Sequence, residues 1–272
     1  MSAAAGLYIL TNMLQKKTLG QNFLHSPRIL QKIVSAGEVA AGDTVLEIGP
    51  GDGALTAVIL QTGASVMAVE KDRRLVPILQ KKFARELTGG QLKLISADII
   101  DLNLENLRLV AYGFKLIANI PYYITGEILR KFLGGPCQPS VMVMLVQKEV
   151  AERIIARDGK ESLLSISVKC YGRPRLLGRV AAGNFQPVPK VDSAILIVEN
   201  VSKKFFEGFS EDGFFRIVKA GFAHKRKQLA GNLRVLFPDI EKALEKTGLP
   251  NEIRPENVSL EKWKGILKVL HA

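Results

Sequence analysis

Short apolar runs alternate with longer amphipathic stretches over the first two thirds of the chain. Thr44–Ile48, Ser65–Val69, Leu92–Ile95, Phe114–Ala118 and Val141–Val146 are rich in β-branched and other apolar residues, and several are closed by a glycine or an acid. Such runs predict strands buried on both faces. Between them, Ala54–Gln61, Asp72–Glu86, Ile124–Leu133 and Lys148–Arg157 have helical composition, with Gly63 placed to end the first. Repeated strand–helix units predict a mostly parallel sheet covered on both sides. Leu163–Tyr171 and Ala194–Val198 read as further strands with no helix between them, which predicts antiparallel pairing at an edge. The pattern changes near Val201. Phe214–Phe222, Lys227–Leu236, Ile240–Lys246 and Leu260–Leu270 read as helices with short connections. The organisation expected is an arm over residues 1–18, an α/β domain over 19–200 and a small helical domain over 201–272. Phe205, Phe206, Phe209, Phe214 and Phe215 are expected to form the core of that last domain.

The first strand runs into Glu47-Ile48-Gly49-Pro50-Gly51-Asp52-Gly53 and then a helix. Glycines there permit positive φ and let a ligand approach the backbone. Glu70 lies about twenty residues on, at the end of the next strand, where doubly wound folds place an acceptor for ribose hydroxyls. The spacing is G-x-G-x-G rather than the G-x-G-x-x-G of a pyrophosphate site, and Glu47 and Asp52 are acidic. That combination suits a cationic cofactor without phosphate, and S-adenosylmethionine meets the description. Asp98, closing the third strand, is placed to accept from an adenine amino group.

Asn119-Ile120-Pro121-Tyr122 follows the fourth strand. An amide that can bond an in-plane amine, a proline that fixes the turn and an aromatic face suit a planar, amine-bearing ring, and adenine fits best. His25, His224 and His271 form no visible catalytic set, and neither a Walker loop nor a metal cluster is evident.

Charge extends this picture. The 272 residues carry a formal net charge of +12, which favours a polyanionic partner. From Lys203 onward there are 14 Lys and Arg against nine Asp and Glu. Lys16, Lys17, Arg153, Lys225, Arg226 and Lys227 are candidates to meet phosphate, with Lys225–Lys227 the densest cluster. Cys137 and Cys170 are widely separated among apolar residues, which suits buried thiols and a reducing cytoplasm. The segment before Lys16 is too short in apolar length to span a membrane and has no arginine, so neither a signal peptide nor an organellar address is expected.

Taken together, these residues resemble the KsgA-type (RsmA) small-subunit rRNA adenine N6-dimethyltransferases. The likeness runs from Leu19 to the last helices. It is carried by Leu19-Gly20-Gln21-Asn22-Phe23-Leu24, the glycine loop, Asn119-Ile120-Pro121-Tyr122-Tyr123-Ile124, Gln147–Arg153 and Phe185–Ser193. The resemblance implies a Rossmann-like, S-adenosyl-L-methionine-dependent methyltransferase domain followed by a helical RNA-binding domain. It implies that Asn22, Leu24, Gly49, Gly51, Glu70, Asp98 and Asn119 line the cofactor pocket. It further implies that Asn119 and Tyr122 hold the target adenine and that Phe185 closes on the base from the other side. The implied reaction dimethylates two adjacent adenosines in a hairpin near the 3′ end of small-subunit rRNA, late in subunit assembly on an immature subunit. A monomer is expected because the proposed surfaces already face RNA, and a cytoplasmic setting fits the cysteines.

Two positions depart from the family pattern. Ile120 stands where many members have Leu and the related Erm enzymes often have Ile. The stretch Phe222–Leu229 reads Phe-Ala-His-Lys-Arg-Lys-Gln-Leu where consecutive Arg and a Thr are more usual. An Erm-like enzyme acting on large-subunit rRNA, a small-molecule methyltransferase and a non-catalytic RNA-binding assembly factor are the competing readings.

Overall fold

The computed structural model describes residues 22–224 and 226–270. The expected arm over 1–18, the first three residues of the Leu19–Leu24 motif, Lys16, Lys17, Lys225 and His271 lie outside the described residues.

Among the described residues there are nine strands: β1 Phe23–Leu24, β2 Thr44–Ile48, β3 Ser65–Glu70, β4 Leu92–Ser96, β5 Lys115–Asn119, β6 Val141–Gln147, β7 Arg173–Val180, β8 Phe185–Gln186 and β9 Ser193–Glu199. Seven of them form one sheet in the order β4-β3-β2-β5-β6-β9-β7. The pairs β4–β3, β3–β2, β2–β5 and β5–β6 are parallel, and β9 runs antiparallel to β6. The chain starts centrally at β2, winds outward through β3 and β4, then returns to the other side of β2 as β5. The strand order therefore reverses between β2 and β5, which opens a crevice beyond their carboxyl ends. β2 and β5 pair with Ile48 opposite Ala118, so the glycine loop and the Asn119 turn leave the sheet side by side. A separate two-stranded ladder joins β1 to β8 antiparallel, with Leu24 opposite Phe185.

Apolar side chains are buried on both faces of the sheet, and those of one face form a continuous cluster. Val45, Ile117, Val143 and Ile195 from the sheet pack with Leu30 and Ile33 of the helix Pro27–Ala36 and with Leu55 and Ile59 of the helix Ala54–Leu60. Central strands sealed on both faces need continuous apolar sequence, which is what β2, β5 and β6 have.

The second unit takes in Glu152–Pro174 as well as the chain from Ser202 onward, whereas the change of pattern in the sequence falls near Val201. Helices Glu211–Gly221, Leu229–Leu233, Ile240–Lys246 and Leu260–Leu270 bury Phe214, Ile217, Leu233, Leu244, Trp263 and Ile266. Phe205, Phe206, Phe209, Phe214 and Phe215 pack mainly edge-to-face at centroid separations of 5.1–6.0 Å, as a core cluster should.

The structure corrects four expectations. Leu163–Tyr171 is not a strand; Leu163–Lys169 is a helix. A short apolar run fits either period, and the decision falls to its start. The Ser162 hydroxyl accepts the Ser165 N–H at 3.1 Å while the Ser165 hydroxyl accepts the Ser162 N–H at 2.6 Å, a reciprocal cap that nucleates the helix. The strand beside β9 is instead β7, whose arginines and Pro174 suit an edge. Asp72–Glu86 is not one helix but two, Val76–Lys82 and Ala84–Thr88, broken at Phe83 where φ is −114°. Lys227–Leu236 contracts to Leu229–Leu233. Both cysteines are free thiols; Cys170 is buried as expected, while Cys137 is only half-buried.

Gly221 marks a tight seam in the second unit. A Cβ there would lie 2.3 Å from the buried Trp263 ring. Gly221→Ala is therefore expected to lower the unfolding free energy by about 1–3 kcal/mol through overpacking. Denaturant titration checks this, and an unchanged midpoint would contradict it.

Candidate active site

The crevice at the strand switch is lined by nearly all the residues singled out above. Asn22, Leu24, Gly49, Gly51, Glu70, Asp98, Asn119, Tyr122 and Phe185 share one cavity with Lys71, Tyr123 and a largely apolar wall that includes Ile48, Ile99 and Ile120. Each polar group arrives at the carboxyl end of a strand or on the β1–β8 ladder.

The glycine loop is shaped by close packing as much as by torsion. Gly51 has φ +62°, and a Cβ there would lie 2.9 Å from the Phe23 ring. Gly53 has φ +77°, and its Cβ would meet the Phe83 ring at 2.5 Å. Only glycine satisfies both demands at these positions. Asp52 accepts the Ala54 N–H at 3.1 Å at the start of the following helix, and His25 Nδ1 lies 3.7 Å from the same carboxylate.

Glu70 is 5% exposed, and both of its oxygens are engaged. Oε2 accepts the Gly51 N–H at 3.1 Å and Oε1 accepts the Asp72 N–H at 2.7 Å. Burial raises its carboxyl pKa, and the Asp72 and Gly51 amides oppose that shift. Each oxygen retains a lone pair for a ligand hydroxyl. Asp98 sits opposite. Its Oδ1 accepts the Ile100 N–H at 3.0 Å, and its Oδ2 lies 2.5 Å from the Lys71 ammonium. Partial burial disfavours its charge, but Lys71 and the Ile100 amide prevail and hold the carboxyl below the usual range. Lys71 was not singled out from the sequence; an acid-adjacent lysine reads there as a solvated charge.

On the other side of the crevice, Asn119 is the last residue of β5 and Pro121 leads into a 3₁₀ turn over Tyr122–Ile124. The Tyr122 hydroxyl is 2.6 Å from the Ser193 hydroxyl at the start of β9. Burial raises the Tyr122 pKa against the opposing Ser193 bond, so the phenol keeps its proton at neutral pH. Phe185 is held on the ladder opposite Leu24. Tyr123, which sequence reading passed over as a site residue, is 62% exposed at the rim. Arg153, Arg226 and Lys227 are exposed residues of the second unit and do not line this cavity.

The donor set fits S-adenosyl-L-methionine. Glu70 and Asp98 are acceptors suited to ribose and an adenine amine, the wall is apolar, and the loop carries no lysine of the kind that cradles phosphate. Beneath the loop, Glu47 is fully buried, and neither its oxygens nor the Thr56 hydroxyl has a hydrogen-bond partner at ordinary geometry. Burial of this kind keeps the acid protonated, so Glu47 lends the cavity no negative charge.

Three comparisons bear on this geometry. A family profile described as "Ribosomal RNA adenine dimethylase" matches residues 12–272. The chain is 41% identical over 253 residues to a Ribosomal RNA small subunit methyltransferase A of Dehalococcoides mccartyi (strain CBDB1), covering 92% of this chain and 86% of the relative. It is 36% identical over 260 residues to the protein of the same name from Fusobacterium nucleatum subsp. nucleatum, covering 93% and 97%. Among solved structures, the 23S rRNA methyltransferase ErmE superposes with a TM-score of 0.75 at 25% identity, covering 92% of this chain and all of that one. A dimethyladenosine transferase from Plasmodium falciparum gives the same TM-score and identity, covering 92% and 97%.

The buried acid yields a pH prediction. Burial, opposed by the Thr56 hydroxyl and reinforced by the Glu70 carboxylate, moves the Glu47 pKa from its ordinary 4.5 to about 8. The native state then holds a proton that the unfolded chain releases. This contribution to stability is full below about pH 4.5 and is lost as the pH rises to about 8. Glu47→Gln is expected to flatten that decline in ligand-free protein and to be the more stable form at pH 9. Parallel pH–stability curves by thermal unfolding check this; coincident curves would contradict it.

Proposed function

The chain belongs to the ribosomal RNA adenine dimethylase family, and from that premise we propose that it dimethylates the N6 amines of two adjacent adenosines in a hairpin near the 3′ end of 16S, small-subunit rRNA. The observation that carries this reading is the meeting, in one cavity, of the Glu70 and Asp98 acceptors with Asn119, Tyr122 and Phe185. The relatives at 36% and 41% identity bear small-subunit names, which favours that substrate over the large-subunit one in the name of the 25% identical ErmE.

S-adenosyl-L-methionine supplies an electrophilic methyl group on a sulfonium sulfur. Glu70 receives its ribose hydroxyls, Asp98 its adenine amine, and Asn22, Leu24, Gly49 and Gly51 line the rest of its seat. The chain's own task is to make the target amine reactive and to aim it. The exocyclic nitrogen of adenine is a poor nucleophile because its lone pair is delocalised into the ring. The Asn119 side-chain oxygen and the Ile120 backbone carbonyl accept hydrogen bonds from its N–H groups, which localises the pair on nitrogen. Tyr122 and Phe185 stack on the two faces of the base and hold it in line for transfer. No strong base is required, since the nitrogen sheds a proton after attack. A paired base cannot reach this slot, so it is flipped or already single-stranded; stacking of about 1–3 kcal/mol per base offsets the few kcal/mol of unstacking.

Phosphate contacts fall to Arg153, Lys225, Arg226 and Lys227. The partner is an immature small ribosomal subunit, met by a monomer in the cytoplasm. Among the described residues no helix is long and apolar enough to cross a membrane.

The direct test mixes purified protein with methyl-labelled cofactor and immature small subunits and maps the modified nucleotides. Two neighbouring N6,N6-dimethyladenosines in small-subunit rRNA are expected; label in large-subunit rRNA would move the assignment to an Erm-like activity. Asn119→Ala is expected to lower turnover on the order of 100-fold while RNA affinity changes only a few-fold; equal losses in methyl-transfer and filter-binding assays would count against the orienting role. Joint reversal of Arg226 and Lys227 to Glu is expected to weaken RNA binding and to reduce its salt slope by about one per lost phosphate contact. An unchanged slope would remove this segment from the interface.

A further inference from the structure

β9 is an apolar strand with a polar residue only at each end, the buried Ser193 and the half-buried Glu199. Ala194, Ile195, Leu196, Ile197 and Val198 are sealed in the sheet, and Ser193 at its start is equally buried at 0% exposure. A hydroxyl in such a place needs a partner, and the partner is the Tyr122 phenol at 2.6 Å. The two residues are 71 apart in sequence, and they meet beyond the end of β6, where Gln147 stands opposite Ser193. The segment between Phe185 and Ser193 is pinned at both ends. At one end, Phe185 pairs with Leu24 on the β1–β8 ladder. At the other, Asp192 Oδ1 accepts the Ala182 N–H at 3.0 Å, its Oδ2 accepts from Arg179 Nε at 2.7 Å, and its carbonyl accepts the Lys148 N–H at 3.0 Å.

We propose that Ser193 is a positioning residue for the methyl-transfer reaction. Its hydroxyl ties the Tyr122 ring to the pinned segment that carries Phe185, and so sets the spacing between the two aromatic faces that receive the target base. This rests on the reading above that Tyr122 and Phe185 sandwich that base. An apolar residue would serve β9 as well or better; the serine is explained by what it holds. Among the described residues this is the one hydrogen bond of the Tyr122 phenol, so losing either hydroxyl frees the ring to rotate and tilt within the turn over Tyr122–Ile124.

A double-mutant cycle on turnover tests the proposal. Ser193→Ala and Tyr122→Phe each keep the local packing and remove one end of the bond. Each is expected to lower kcat on RNA by up to about tenfold, the factor a buried hydrogen bond is worth. The cofactor Kd should stay at the wild-type value, and the double variant should lose no more than either single one. A hydroxyl with a merely structural role would lower Tm and leave kcat of the folded protein alone. Wild-type kcat in Ser193→Ala, or losses that multiply in the double variant, would overturn the proposal. If Ser193→Ala does not fold, Tyr122→Phe decides: a comparable fall in kcat with unchanged cofactor affinity upholds the proposal, and wild-type turnover overturns it. A wild-type protein that transfers no methyl group to RNA would sink the methyltransferase reading itself, and this inference with it.

Discussion

The Glu70 carboxylate holds the crevice together. It stands at the carboxyl end of β3 and takes a backbone N–H from the glycine loop after β2 and another from its own following turn. Hydrogen bonds to a charged group are worth about 1.5–3 kcal/mol each, enough to fix a loop that has little side-chain packing of its own. The fixation explains the glycines. To bring the Gly51 amide onto Glu70 the loop must run at positive φ beneath Phe23, where a Cβ would collide with the ring. The same bonds keep an acid ordered inside an otherwise apolar cavity, with lone pairs left for ligand hydroxyls. Loop shape and the acceptors offered to a cofactor both follow from this arrangement.

The second half of the site depends on the same strand reversal. Because β5 lies against β2, the Asn119 turn emerges beside the glycine loop, and the Asn119 carbonyl would be 3.4 Å from a Cβ on Gly49. The residues proposed to hold the cofactor and those proposed to hold the base are therefore built on adjacent strand ends rather than on independent loops. The β1–β8 ladder adds a further tie, since Leu24, proposed for the cofactor side, pairs with Phe185, proposed for the base side. A site that must bring a weak nucleophile to a methyl group within tenths of an ångström gains from such a rigid mounting.

Much of this was legible in the sequence, for physical reasons. Parallel strands sealed on both faces are written as continuous apolar runs, so β2, β3, β5 and β6 could be read directly, while β4, at the edge with Lys93 exposed, was read from its leucines and isoleucine. Glycines and acids at their ends could be placed at the ligand edge by topology alone. Where two periods fit the same residues, the reading failed. Leu163–Lys169 is apolar enough for a strand, and only the reciprocal Ser162–Ser165 cap makes it helical. β7 was missed because an edge strand laced with Arg173, Arg175 and Arg179 does not look buried. In the site, Lys71 and Ser193 went unrecognised because their meaning lies in partners that are distant in sequence, Asp98 and Tyr122. Long-range side-chain pairs leave no local signal. The roles of Phe185, Asn22 and Leu24 came from family resemblance and not from residue chemistry.

The central claim is geometric: cofactor and target base are held on neighbouring strand ends so that the amine meets the methyl group between Asn119 and the Ile120 carbonyl. A crystal structure with bound S-adenosyl-L-methionine tests it most directly. The account predicts the ribose on Glu70, the adenine amine on Asp98 and the sulfonium methyl directed at the space bounded by Asn119, Tyr122 and Phe185. A cofactor bound elsewhere, or bound here with its methyl group turned away from Asn119, would contradict it.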